Sequence, residues 1–321
     1  MPRLGGVAFF PAIFVSSALT IVCHNLYMGH DMLDLSLTNR LLATGICLFT
    51  LYLLGIMDDL IGVNSRHKFT VQTFCGVVMV LSGLYFSDLH GLFGIHAIPF
   101  WIGAPLTVLA VVYMLNAINL IDGIDGLASG LGLIALLAFG YMFIRLEWWM
   151  YAFLAAGALG VLLPFFYYNV FGRSRRKLFM GDTGSLTIGL LLAVMAIRLS
   201  IPDLSKDTLF PSTIVIAFSF LMVPLLDVAR VILYRVRCRK KLFVGDRSHI
   251  HHRFMDLGLS QHAAMACIVA IAFVFALVNL WLIHFLNATQ LLLLDVALWT
   301  AMHCYIGALI RRRCGAEAAM D

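Results

Sequence analysis

Ten stretches of this chain stay apolar long enough to cross the ~30 Å hydrocarbon layer of a bilayer. They cover approximately 5–27, 41–57, 69–87, 99–118, 129–145, 148–170, 183–200, 209–236, 262–286 and 289–310. No water is available in that layer to satisfy a free peptide group, so a crossing segment must be a helix or a strand of a closed barrel. These stretches are too long, and too rich in Leu, Ala and Gly, for the alternating pattern of a barrel strand. The expected fold is therefore all-α: a polytopic transmembrane bundle of about ten spans, forming one integral-membrane domain over residues 1–321. With 62% hydrophobic and 12% charged residues, the chain is neither a soluble domain nor a disordered one. Water-soluble partners must be met at helix ends.

Lys and Arg near helix ends are retained on the cytoplasmic side and so set the orientation. With Arg3 inside, ten spans put Arg66, Lys68, Arg173, Arg175, Arg176, Lys177, the basic run from Arg235 to Lys241, Arg247, Arg253 and Arg311 to Arg313 inside as well. Arg40, Arg145, Arg198 and Lys206 fall outside. The net charge of +5 is spread over these membrane-flanking loops, as orientation and anionic headgroups require, which argues against a nucleic-acid partner. The seven cysteines show no CxxC spacing and suggest neither a disulfide framework nor a zinc site. The apolar run after Arg3 lacks a small-x-small cleavage site and reads as an uncleaved span. Pro105, Pro164 and Pro224 lie inside spans, where neighbouring helices can satisfy the freed carbonyls.

Four acidic clusters sit at span ends. Asp58 and Asp59 end the span 41–57, where adjacent carboxylates oppose each other and the helix dipole, an arrangement that calls for a cation or a functional need. In NAINLIDGIDGLASG, Asn116, Asn119, Asp122 and Asp125 recur every three residues, with Gly123 and Gly126 between them. That spacing aims several polar groups at one space while the glycines admit close backbone approach, although turns use the same residue types. In FMGDTGSLTIG, Asp182 opens the span 183–200 and reads either as an ordinary N-cap or as a carboxylate holding Mg2+ against a phosphate. Thr183 and Ser185 offer further capping groups.

The last cluster, DRSHIHHRF, gathers His249, His251, His252, Arg247 and Arg253 beside Asp246. Without a cysteine or a well-spaced fourth ligand, this segment suits binding of a diphosphate or sugar better than zinc. Asp227 and Arg230 are three apart in one span and read as a structural ion pair. Asp295 has no evident partner in the sequence.

Together these motifs resemble the polyprenyl-phosphate N-acetylhexosamine-1-phosphate transferases, the membrane family that also includes the phospho-N-acetylmuramoyl-pentapeptide transferases. PRLGG at 2–6, the Asp58-Asp59 pair followed by Lys68 and Gln72, NxxNxxDGxDGLA, FMGDTGSL and HIHHRF stand in the family's order over nearly the whole chain. HIHHRF is more similar to the GlcNAc branch than to the triple-histidine segment of the muramoyl-pentapeptide branch. The resemblance implies a multi-pass enzyme of the bacterial cytoplasmic (inner) membrane, its active site facing the cytoplasm. It would move a sugar 1-phosphate from a UDP-sugar, with UDP-GlcNAc preferred, onto undecaprenyl (polyprenyl) phosphate and release UMP. Membrane lipid is its other partner, and a homodimer is compatible with the pattern.

By the same resemblance Mg2+ is the cofactor, with Mn2+ as a substitute. Asp182 and Asp59 would be its ligands, and Asp58, Asp59, Asp182 and His251 the catalytic set. Arg3, Lys68, Asn116, Asn119, Asp122, Asp125, Phe179, His249, His252 and Arg253 would bind substrate. The family usually has one more span ahead of PRLGG, so the resemblance implies either that translation starts further upstream or that this member lacks that helix. The alternatives are a muramoyl-pentapeptide-type transferase and, from another class, a secondary transporter, whose carboxylates should lie near mid-membrane on broken helices.

Overall fold

The computed structural model describes residues 5–28, 34–173, 176–202, 213–239 and 248–317. A 3-10 turn at Gly5–Ala8 leads into α1 (Phe9–Met28), then α2 (Leu35–Ile61), α3 (Ser65–Leu81), a hairpin of β1 (Asp88–Leu92) and β2 (Ile95–Ala97), and α4 (Phe100–Ile121). After these come α5 (Leu127–Arg145), α6 (Trp149–Phe171), α7 (Gly181–Ser200), α8 (Thr213–Ser219), α9 (Met222–Arg237), α10 (Ile250–Asp256), α11 (Gln261–Leu282) and α12 (Ala288–Glu317). Several ends carry their own signals. Asp34 caps α2 by accepting from Leu37 N at 2.6 Å, and Gly62 closes it at φ +74°, a left-handed value that glycine takes without strain. Asn64 and Ser260 start α3 and α11 in the same way, through Arg66 N and Ala263 N.

The all-helical expectation holds, with two differences in the spans and one small addition. Among the described residues, eight helices are long and apolar enough to cross a bilayer, or nine if α8 and α9 are one broken span. The expected third span shortens to α3, whose 17 residues extend ~25 Å at 1.5 Å per residue. Its first turn nevertheless lies beside the end of α2, and α4 packs along it, so α3 carries the chain from one end of the bundle toward the other. The span expected over 209–236 is bent by 78° between α8 and α9. Pro224 accounts for this break, since it has no N–H to give Phe220 and its ring crowds that carbonyl. Unforeseen in the apolar pattern, β1 and β2 pair antiparallel, with Leu92 opposite Ile95.

At the centre stands α7, buried from Thr183 to Ser200 and packed by α1, α2, α4, α5 and α8. Lipid tails are as apolar as leucine, so helices in a bilayer associate by close packing rather than by hydrophobic expulsion. Glycines provide that closeness at the start of α7. A Cβ added to Gly6 would come within 2.3 Å of Gly184 Cα, and one added to Gly55 within 2.4 Å of Thr183 Cα. Backbone bonds from Gly5 N to Phe179 O (3.0 Å) and Gly6 N to Met180 O (3.2 Å) fasten the first turn to the same place.

Candidate active site

The ends of α2 and α4, the start of α7 and the segment before it meet at one end of the bundle. Asp59, at the end of α2, caps α7 from outside: its Oδ1 accepts from Asp182 N at 2.8 Å, and its Oδ2 from Thr183 N at 3.0 Å and Thr183 Oγ1 at 2.7 Å. A helix N-terminus has unpaired N–H groups and partial positive charge, so a carboxylate is stabilised there. Asp58 turns the other way. Its Oδ1 accepts from Val63 N at 2.6 Å, and its Oδ2 lies 2.6 Å from Lys68 Nζ, which also lies 2.5 Å from Asp182 Oδ2. The adjacent carboxylates are thus reconciled by an ammonium on one and a helix terminus on the other.

A cleft of about 340 Å³ opens beside this cluster, lined by Asp59, Asn119, Asp122, Asp125, Phe179 and Asp182 among others. Asn119 Nδ2 donates to Ser185 Oγ at 2.8 Å. The Asp125 carboxylate pairs with Lys177 Nζ at 2.5 Å, and that ammonium stands 5.8 Å from the centre of the Phe179 ring. Asp122 ends α4 and opens onto the cleft. Its side chain is exposed on the cleft, and the protein massed around it, then the negative charges of Asp182, Asp125 and Asp59, push its carboxyl up to about 7.

The histidine segment reaches this loop at Gly123. His251 is buried, and its ring lies where a side chain on Gly123 would go, 2.3 Å from Nε2 to an added Cβ. Its ring is parallel to that of His249 at 5.9 Å between centroids and tilted against that of His252 at 4.2 Å. Burial first, then the neighbouring His252 and His249, push His251 down to about 4, so it is neutral at physiological pH.

Several expected site residues are placed otherwise. Asn116 does not line the cleft; its amide donates to Gln72 Oε1 and Val112 O, both at 2.7 Å, and joins α4 to α3. Arg253 turns to α12, where its guanidinium meets His303 Nδ1 at 2.7 Å and His303 O at 2.9 Å. Asp59, expected beside Asp182 as a metal ligand, has both oxygens engaged by α7, and Asp58 is the carboxylate that shares a cation with Asp182. Arg3 and Asp246 lie outside the described residues. The expected Asp227–Arg230 pair is present at 2.9 Å, and Asp295 finds Asn279 Nδ2 at 2.9 Å.

Sequence reasoning missed Asn169. From the end of α6 it accepts from Gly126 N at 2.6 Å and donates to Leu178 O at 2.7 Å and to Asp125 Oδ1 at 3.4 Å, tying the loop after α4 to the segment before α7. A lone amide in the apolar run FFYYNVF was the available signal, because polar groups within spans are costly and concentrate at functional places.

Among the described residues, no three or more His, Cys, Asp or Glu side chains surround a common metal position. The donor set still fits Mg2+. Asp58 and Asp182 already share one cation, the Lys68 ammonium, and Mg2+ needs only one or two protein carboxylates when water and substrate phosphate complete its shell.

Known proteins place the chain. The family model described as glycosyl transferase family 4 matches residues 41–200, which include the ends of α2 and α4 and all of α7. The chain is 33% identical over 286 residues to the "Probable undecaprenyl-phosphate N-acetylglucosaminyl 1-phosphate transferase" of Bacillus subtilis (strain 168), covering 86% of this chain and 72% of that one. It is 31% identical over 283 residues to the "Undecaprenyl-phosphate alpha-N-acetylglucosaminyl 1-phosphate transferase" of Escherichia coli (strain K12), covering 85% and 70%. It is 30% identical over 291 residues to the "Decaprenyl-phosphate N-acetylglucosaminephosphotransferase" of Mycobacterium tuberculosis (strain ATCC 25618 / H37Rv), covering 83% and 68%. With its acidic helix ends gathered in the segment that the family model matches, the chain belongs to glycosyl transferase family 4, among the polyprenyl-phosphate N-acetylglucosaminyl-1-phosphate transferases.

Proposed function

We propose that the protein transfers N-acetylglucosamine 1-phosphate from UDP-N-acetylglucosamine to undecaprenyl or a similar polyprenyl phosphate, releasing UMP, at the cytoplasmic face of a bacterial inner membrane. The observation that carries this reading is the gathering of Asp58, Asp59, Asp122 and Asp182 from three helix ends at one end of an apolar bundle. A polyprenyl chain stays in lipid and a nucleotide sugar in water, so their phosphates can meet only at that boundary. Relatives named for this reaction support the choice of substrates, and the surplus of Lys and Arg in the loops at this end supports the cytoplasmic orientation.

In the proposed reaction a lipid phosphate oxygen attacks the β-phosphorus of the UDP-sugar. A new P–O bond forms, the bond from that phosphorus to the oxygen bridging the two phosphates breaks, and UMP leaves with the electron pair. A phosphate monoester has a second pKa of about 6, so the acceptor is already ionised near neutrality and needs no strong base. Asp58 and Lys68 therefore act by placing charge rather than by removing a proton. When bound at Asp58 and Asp182, Mg2+ would neutralise the diphosphate and its leaving group. Asn119, Asp122, Asp125 and Phe179 are assigned to the nucleotide sugar, and neutral His251 to its phosphate end.

The test is incubation of purified protein with UDP-N-acetylglucosamine, undecaprenyl phosphate and Mg2+. UMP should appear only when both substrates are present, and the lipid should gain the mass of an N-acetylhexosamine phosphate. UMP release without the lipid acceptor, or a phosphorylated enzyme trapped in its absence, would overturn direct displacement. A larger product from UDP-N-acetylgalactosamine would overturn the sugar assignment.

A further inference from the structure

Asp227 lies deep in α9 with a side chain 0% exposed, and the site described above makes no use of it. It does more than pair with Arg230. Its Oδ1 accepts from Arg230 Nη2 at 2.9 Å and from Ile250 N at 3.0 Å, while its Oδ2 faces His249 Nδ1 at 2.8 Å. Arg230 also donates to Ser248 O. One buried carboxylate thus gathers the first residues of α10 onto α9. An isolated buried charge is strongly destabilising, so such a group persists when every lone pair it presents has a donor. A simple ion pair would not require the histidine.

The chemistry of that third bond fixes a proton. A carboxylate can only accept, so the His249 nitrogen facing Oδ2 must be the one that bears hydrogen. The ring is then held in one tautomer and one orientation, with Nε2 as its remaining nitrogen. From His249 the order passes on by contact: the His251 ring lies parallel to it, and His251 rests against Gly123 in the loop that carries Asp122 and Asp125.

We propose that Asp227 is a positioning residue for phosphosugar transfer, an intramembrane carboxylate that holds His249 with its proton on Nδ1 and docks the histidine segment against the Asp122–Asp125 loop. Nothing else among the described residues bonds the His249 ring. The inference rests on the transferase reading for its kinetic consequence, but its structural content does not depend on turnover.

Two measurements on the full-length protein in detergent test it. The first is a double-mutant cycle in kcat with Asp227→Asn and His249→Asn. The asparagine at 249 keeps an amide near the position of Nδ1, so it preserves a donor to Asp227 while removing the ring. Each single variant should lose about 10- to 100-fold in kcat, as when a group orienting a functional histidine is removed. The double variant should lose no more than His249→Asn alone, because Asp227 acts through that ring. If the two losses multiply, Asp227 is an independent structural post and the proposal fails.

The second is side-chain 15N NMR of histidine-labelled protein, with the His249 signal identified by its loss in His249→Asn. The wild-type ring should carry its proton on Nδ1, and Asp227→Asn, whose amide can donate to that nitrogen, should move it to Nε2. A ring protonated at Nε2 in the wild type, or unmoved in the variant, would overturn the proposal. If wild-type protein made no lipid product, the transferase reading would fall while this spectrum still decided the role of Asp227.

Discussion

Asp59 Oδ1 accepts the backbone N–H of Asp182 at 2.8 Å across 123 residues of sequence, so the carboxylate that ends α2 also caps the helix that opens with Asp182. The two acids therefore differ in kind. Asp59 →Ala removes three acceptor contacts from the α7 terminus, a loss of about 1–3 kcal/mol, and should lower both thermal stability and turnover. The Asp182 side chain instead faces the side chains of Lys68 and Asp58. Asp182→Asn should abolish turnover while leaving the melting temperature in detergent within a few degrees of wild type, and near-normal activity would remove it from the reaction.

Lys68 places its ammonium between the two oxygens that suit Mg2+, 2.6 Å from Asp58 and 2.5 Å from Asp182. A fixed cation competes with a divalent ion for those oxygens and also holds them together. Lys68→Gln should lower kcat, and the Mg2+ concentration that half-saturates the remaining activity should fall about tenfold, equivalent to ~1.4 kcal/mol. An unchanged Mg2+ requirement would show that the metal does not sit at these carboxylates. Chelation should silence the wild type, and added Mg2+ should restore it.

Much of this arrangement was legible in the chain because helical spans and their ends have strong signatures: apolar length and acids placed at span ends. The glycines of PRLGG and FMGDTGSL bring backbones together at Gly6 and Gly184, a role their motifs did not announce. Partner choice was not legible. The spacing of Asn116 and Asn119 predicts a shared direction, yet three residues turn a helix by about 300°, and α3 intervenes to take Asn116 through Gln72. Arg253 was drawn toward the site by its neighbours in sequence, whereas its partner His303 is 50 residues away on α12. The break between α8 and α9 had its cause in view at Pro224, but an apolar run reads the same whether straight or bent.

The two asparagines give a direct contrast. Asn119 lines the cleft, so Asn119→Ala should raise KM for the UDP-sugar by about tenfold, the scale of one hydrogen bond to a charged group at ~1.5 kcal/mol. Asn116 joins α3 to α4, so Asn116→Ala should lower the melting temperature and leave that KM unchanged. Equal KM effects from both would place Asn116 in the cleft after all.

Two glycines of α2 make a second contrast. A Cβ on Gly55 would lie 2.4 Å from Thr183 Cα and 2.7 Å from Thr183 N, both backbone atoms that cannot swing away, whereas a Cβ on Gly45 would meet nothing within 4 Å. Gly55→Ala should separate α2 from α7, lower the melting temperature by several degrees and displace the Asp59 cap. Gly45→Ala should leave both stability and turnover as they were. If the melting temperatures of the two variants agree, close packing at Gly55 is not what seats α7.

Gly123 tests whether the histidine segment belongs to the site at all. An added Cβ would stand 2.3 Å from His251 Nε2 and 2.4 Å from Cε1. A ring at the end of a flexible chain could move aside, but His251 is buried with the His249 and His252 rings against it, so its displacement disturbs all three. Gly123→Ala should therefore cut kcat about tenfold or more, as misplacement of a positioned group does, with little change in melting temperature. The decisive comparison is in a His251→Ala background, where the clash has no partner. There Gly123→Ala should cost nothing further, since both substitutions remove the same contact. If Gly123→Ala cost as much with His251 absent, the glycine would serve the backbone of the Asp122–Asp125 loop, and the histidine segment would have no demonstrated link to the cleft.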